Sequence, residues 1–175
     1  GYVMIVQDPA GGYETIHAGA IFDRDYSVSA WFFCEYRPDL KENGFERYGL
    51  FARDNGNNCF DSDSSLSGSY MLVFDSADGR IRAGKVESGK FSNFNSELKY
   101  IKKSGWHHFK IRCTGNRIEF YLDEEVIAEV NDDEFKNGFF GAGYHEYFDD
   151  DDNIRGARVE NFQYVHTVKS SGYVH

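Results

Sequence analysis

Residues 105–130, GWHHFKIRCTGNRIEFYLDEEVIAEV, constrain the fold more than any other part of the chain. Phe109, Ile111 and Cys113 alternate with His108, Lys110 and Arg112. After the turn Thr114-Gly115-Asn116, Ile118, Phe120 and Leu122 alternate with Glu119, Tyr121 and Asp123. A period of two buries one set and leaves the other toward solvent, so each segment predicts a strand with a single core face. A second turn, Asp123-Glu124-Glu125, leads into residues 126–130. Connections this short leave no room for a helical crossover, and the three strands must run antiparallel.

The same signals recur along the chain. Residues 2–6 read as extended and 8–12 as a loop. Residues 27–37 alternate through Val28, Ala30, Phe32 and Cys34, with Trp31, Phe33, Glu35 and Arg37 on the other face. That second face mixes aromatic and charged groups, as the wall of a cleft does. Residues 48–54 form the next strand, 55–69 a long polar loop suited to binding, and 70–75 and 80–87 a hairpin closed by Asp78-Gly79. Residues 138–143 and 158–165 read as closing strands on either side of the acidic loop 148–154, and 132–136 as one helical turn. No internal repeat or linker divides the chain.

With 18 glycines, 2 prolines, 12 tyrosines and 16 phenylalanines among 175 residues, the composition is that of strands joined by tight turns and packed by aromatics. The length falls within one sandwich, so a single domain over 1–175 is expected, with 1–12 and 169–175 peripheral. A net charge of -10 disfavours nucleic acid and anionic membrane surfaces. No apolar run approaches the roughly 18 residues of a membrane span, and residues 2–6 are too short for a signal peptide. A secreted form would have lost its leader, or the chain is an excised module. Cys34, Cys59 and Cys113 lack metal-ligand spacing and allow at most one disulfide; Cys34 and Cys113 read as buried thiols.

Strands of this kind at this spacing resemble the concanavalin A-like jelly roll shared by legume-type lectins, laminin-G-like domains and several glycoside hydrolases. Glu35-Tyr36-Arg37 followed by Gly49-Leu50-Phe51-Ala52-Arg53 resembles the paired strands of the 3-keto-disaccharide hydrolase-like family. Gly138-Phe139-Phe140-Gly141-Ala142-Gly143-Tyr144-His145 keeps that family's Gly-to-His spacing, and Val159-Glu160-Asn161-Phe162 resembles its closing strand. Residues 48–54 and 70–75 are also similar to fructan-binding carbohydrate-binding modules. The chain departs from the pattern at Asp123-Glu124, where Asn-Gly is usual, and at Glu160, where arginine is usual. The Glu-x-Asp-x-x-Glu signature of laminarinase-like hydrolases is absent. The resemblance implies an all-β, antiparallel two-sheet sandwich of jelly-roll type and a role in handling sugars.

Sugars are held by flat apolar surfaces against their C–H faces and by charged groups that pair with adjacent hydroxyls. Trp31, Glu35, Arg37, Arg53, Tyr144, His145 and Tyr147 supply both kinds of group. Glu35 and Arg53 are expected on neighbouring strands, and the alternative reading is a cross-strand ion pair facing solvent. Asp149, Asp150, Asp151 and Asp152 concentrate oxygen ligands suited to a structural calcium ion, with Asp61-Ser62-Asp63 a weaker cluster of the same type. No nucleophile elbow, phosphate loop or zinc motif occurs. The expectation is a monomeric, non-catalytic module that binds oligo- or polysaccharide outside the cell or at its surface, attached to a polysaccharide-degrading enzyme. One alternative is a glycoside hydrolase or lyase using Glu35 and His145 as acid and base; another is a laminin-G-like adhesion domain that binds protein.

Overall fold

The computed structural model describes residues 3–5, 12–20, 22–42, 44–61, 64–148 and 156–167. Its strands are β1 (Val3–Ile5), β2 (Gly12–Ala18), β3 (Tyr26–Cys34), β4 (Gly44–Asp54), β5 (Gly68–Asp75), β6 (Arg80–Glu87), β7 (Lys90–Asn93), β8 (Lys99–Tyr100), β9 (Gly105–Thr114), β10 (Arg117–Leu122), β11 (Glu125–Asn131), β12 (Phe139–Phe148) and β13 (Ala157–His166). One sheet runs β1-β13-β3-β9-β10-β11, and the other runs β2-β12-β4-β5-β6-β7, with β8 beside β6. The registered strand pairs are antiparallel.

The meander of β9, β10 and β11 forms as its alternation dictates. Ile118 faces Cys113 on one side and Val130 on the other, and Phe120 faces Ile111 and Ala128. These side chains pack inward with Tyr26, Val28, Ala30 and Phe32 of β3. From the opposite sheet Tyr48, Leu50, Tyr70, Leu72, Phe74, Phe140 and Tyr144 complete the buried core. The two sheets are clasped at one end by Asp132, which follows β11. Its carboxylate accepts hydrogen bonds from the Tyr70 hydroxyl at 2.6 Å and from Lys85 Nζ at 2.8 Å.

A smaller apolar cluster lies outside the sandwich. Phe51, Met71, Val73 and Val86 point away from the main core, and Cys59 and Phe60 of the long loop fold down onto them. The loop is shaped by its own asparagines: Asn55 Oδ1 accepts the Asn57 N–H, and Asn55 Nδ2 donates to the Leu66 carbonyl. The loop is therefore packed against the sheet through its hydrophobic residues.

Three expectations change at this level. Residues 27–37 do not form one continuous strand, because β3 ends at Cys34 and the chain turns away through a 3-10 segment, Pro38–Glu42. That connection carries the chain from one sheet to the other, so β3 and β4 are not neighbours. The segment 132–136 forms no helical turn; it is irregular, with a bend at Glu134 whose N–H donates to Asp132 Oδ1. Asp149, Asp150, Asp151 and Asp152, together with Ser62 and Asp63, lie outside the described residues. Among the described residues, no helix is long and apolar enough to cross a membrane.

Candidate functional site

Alternation on β4 sends Tyr48, Leu50 and Ala52 into the core, and so sends Phe45, Arg47, Gly49 and Phe51 to the outer face of the second sheet. The registers of β12, β4 and β5 arrange this face in rows. Tyr147 opposes Phe45; in the next row His145 opposes Arg47 and Arg47 opposes Asp75. Beyond that, Gly143 opposes Gly49, Gly49 opposes Val73, and Val73 opposes Arg82 of β6. The missing side chain at Gly143 admits the Phe60 ring, since a Cβ there would lie 2.4 Å from it.

The resulting cleft has a volume of about 260 Å³. Met71, Val73, Val86, Phe60 and Phe91 make its apolar surface, while Arg47, Arg82 and His145 bring polar groups to it. Asp75 anchors the two arginines. Its Oδ2 accepts Arg47 Nε at 2.9 Å and Arg82 Nη1 at 3.2 Å, and its Oδ1 accepts the Ala77 N–H. Asp78 holds Arg82 from the other side at 3.3 Å. The Arg47 guanidinium lies 4.2 Å over the Phe45 ring, and His145 meets that ring edge-on at 4.9 Å. Tyr147, half exposed, stacks beside Phe45 at 6.4 Å. Two planar cation forks and an imidazole thus face one depression, with the Tyr147 phenol farther along the same sheet face, and each fork is held before any ligand arrives.

No protein-family model matches the chain. Over 82 residues, 47% of its length, it is 27% identical to levanase of Bacillus subtilis (strain 168), of which it covers 12%. Among solved structures, the carbohydrate-binding module CBM66 from Bacillus subtilis superposes with a TM-score of 0.57 at 18% identity, covering 92% of this chain and 99% of that one. A Bacillus subtilis protein of unknown function with a galectin-like fold superposes with a TM-score of 0.59 at 13% identity, over 95% of this chain and 86% of that one. The fold is a jelly-roll β-sandwich.

On this jelly roll the residues singled out from the sequence separate. His145 and Tyr147 lie on the cleft face. Tyr144, their neighbour, points the other way into the core, where its hydroxyl donates to Glu46 Oε2 at 2.8 Å. Burial and the adjacent carboxylate push the Tyr144 phenol well above its usual range. Glu46 is itself raised by burial, although Tyr144 and Ser76 donate to it. Arg37 is 6% exposed and lies 3.8 Å from the same Glu46, so it serves this buried cluster.

Arg53 and Glu35 do not meet. Against β12, β4 carries one extra residue: Phe51 faces Gly141, while Asp54 faces Phe139. Arg53 takes up that bulge with a φ of 49°, which turns its side chain off the cleft face. Its guanidinium, 2% exposed, donates to the carbonyls of Arg24 and Phe135 and meets Asp25 at 3.4 Å. Glu35 lies beyond the end of β3 and pairs with Arg158 at 3.4 Å. Trp31 is on the outer face of the first sheet, opposite His108 and Glu160. Glu35 and His145 therefore belong to different parts of the sandwich.

Sequence reasoning did not find Arg47, Asp75, Arg82 or Phe45. The signal was present in the alternation of β4: beginning that strand at Gly44, as the structure does, places Phe45 and Arg47 in line with Phe51. Asp75 and Arg82 then bracket the hairpin turn of β5 and β6.

Proposed function

We propose that this chain is a non-catalytic carbohydrate-binding module of an extracellular polysaccharide-degrading enzyme, and that the cleft of Arg47, Arg82 and His145 is its sugar site. The observation that carries this reading is the convergence of Arg47 and Arg82 on one oxygen of Asp75, beside His145 and above the apolar surface of Met71 and Val73. Guanidinium N–H groups not used by Asp75 and Asp78 donate to neighbouring hydroxyls, and a rigid fork suits a pair of them. Tyr147 offers a flat ring to the C–H face of the sugar. Glycoside hydrolysis calls for two carboxyl groups flanking the scissile bond. The described residues lining this cleft supply arginine, histidine and apolar groups and no carboxyl group, which favours holding a glycan over cutting it. The levanase and CBM66 names support the same class of ligand and make levan the first polysaccharide to try.

Calorimetry with levan, inulin, laminarin and xylan tests the reading. The wild-type chain is expected to bind at least one of them and to release no reducing sugar from it. Arg47→Ala is expected to weaken that binding by about tenfold with the fold intact, in line with the loss of a charge-assisted hydrogen-bond donor. Unchanged affinity in both Arg47→Ala and Arg82→Ala would remove the cleft, and absence of binding across the set would remove the function.

A further inference from the structure

We propose that the opposite outer face of the sandwich carries a second sugar-binding site, built on Trp31 and Trp106. It takes only its ligand class from the reading above. Trp31 and Trp106 come from adjacent strands, β3 and β9, and expose 38% and 37% of their surfaces. With Glu160 and Asn161 they line a hollow of about 570 Å³. Both indoles are held in place: the Trp31 ring lies 5.2 Å from His108, and Trp106 meets Phe33 edge-on at 5.6 Å. Two large flat rings fixed before binding lose little entropy when a ligand stacks on them.

The polar side of the hollow depends on a backbone irregularity. Along an ideal strand Glu160 and Asn161 would point to opposite faces. β13 carries one extra residue against β3 here: Glu160 faces Trp31, while Gln163 faces Ser29. Asn161 sits in this bulge with a φ of 52°, and both consecutive side chains line the same hollow. Asn161 Oδ1 accepts Gln163 Nε2 at 3.3 Å, which leaves the Asn161 amide N–H groups as donors and the Glu160 carboxylate as an acceptor among the residues lining the hollow. A donor, an acceptor and two apolar planes are the set that a sugar ring matches.

The surroundings argue for a narrow ligand rather than a protein. Farther along the same face the charges are paired with one another: Arg117 with Glu119 and Glu129, and Arg112 with Glu119. A stable protein interface covers roughly 800 Å² per partner and is apolar at its centre. These paired charges limit how far an apolar contact surface extends along the face, so a single oligosaccharide strand fits the hollow better. Sheets in a sandwich stand about 10 Å apart, so the two sites look in opposite directions and would engage two glycan chains, or two stretches of one, at once.

Trp31 and Trp106 are the chain's 2 tryptophans, and neither lines the cleft of the proposed main site. Tryptophan emission therefore reports on the new site alone. Wild type, Arg47→Ala/His145→Ala, and Trp31→Ala/Trp106→Ala are titrated with levan, inulin, laminarin and xylan, following emission and retention on polysaccharide gels. The cleft variant is expected to keep a blue shift of its emission with a polysaccharide that wild type binds. The tryptophan variant is expected to keep single-site binding by calorimetry while its retention falls by about tenfold or more, through lost avidity. Glu160→Ala, which leaves the indoles in place, is expected to shrink the emission change. A cleft variant whose emission stays constant at saturating amounts of every polysaccharide, beside a wild type that binds, overturns the second site and spares the first. Silence from all three proteins overturns both.

Discussion

Arg47 Nε and Asp75 Oδ2 lie 2.9 Å apart across a register pair of β4 and β5, and Arg82 reaches the same oxygen from β6. Asp75 is the point at which three strands agree on the shape of the cleft. Its side chain is 5% exposed, so its main effect is to fix the two cations. Asp75→Asn keeps the size of the group and removes its charge. The expected outcome is about tenfold weaker binding of whichever polysaccharide the wild type takes, with a smaller effect on unfolding temperature. Calorimetry beside a thermal melt separates the two. Arg47→Lys should weaken binding similarly, because an ammonium group cannot reproduce the planar fork.

Arg53 leads to the opposite expectation. Its donors are committed to the carbonyls of Arg24 and Phe135, which tie the start of β3 and the approach to β12 onto the end of β4. Arg53→Met keeps much of the stem and leaves those buried acceptors without their partner. A loss of about 3 kcal/mol in urea unfolding is expected, with sugar affinity of the remaining folded protein unchanged. A variant of full stability that binds poorly would return Arg53 to the binding site.

How far the sequence could be read follows from which interactions it encodes locally. The β9-β10-β11 meander was legible because alternation and turn chemistry agree within one short stretch. Positive φ at Gly115, Asp123 and Glu124 sits where the turns were expected. His145 and Tyr147 are grouped with Tyr144 when the strand is expected to stop at 143; carrying alternation on through 147 turns Tyr144 to the opposite side from the other two. Alternation shows that a strand has a buried side without showing which sheet it joins, so β3 and β4 looked like neighbours although the core lies between them. Bulges are invisible for a related reason. Arg53 and Asn161 reverse direction because the partner strand lacks a residue opposite them, a property of pairing that neither strand carries alone.

The three cysteines offer a test of packing that does not depend on any ligand. Cys34 and Cys113 point into the main core and Cys59 is sealed beneath the loop; none is in a disulfide. Burial raises each thiol, and Cys113 is pushed up to about 12. The thiolate is the reactive species. The native protein is expected to leave a disulfide reagent such as DTNB unreacted at mildly alkaline pH, and to react at all three positions once denatured. Fast reaction of one thiol in the native protein would show that its cover opens, with Cys59 under the loop the first to assign by mass spectrometry.

The clasp at Asp132 gives stability a defined pH dependence. Burial alone would raise this carboxyl, but hydrogen bonds from Lys85 and Tyr70 and the Glu134 N–H outweigh it and hold Asp132 below the usual carboxylate range. A carboxyl whose pKa is lower folded than unfolded adds stability above its unfolded pKa and loses that contribution as pH falls through the folded value. With Asp132 and Lys85 both largely shielded, the contribution at neutral pH is about 1–2 kcal/mol. Asp132→Asn should therefore lower the unfolding free energy by about that much near pH 7. The gap to wild type should begin to narrow as pH falls below the roughly 3.9 of an unfolded aspartate and close only as pH passes through the lower folded value. Urea unfolding of both proteins across this range measures the difference directly. A gap that stayed constant into acid would mean that Asp132 holds the two sheets together through shape alone.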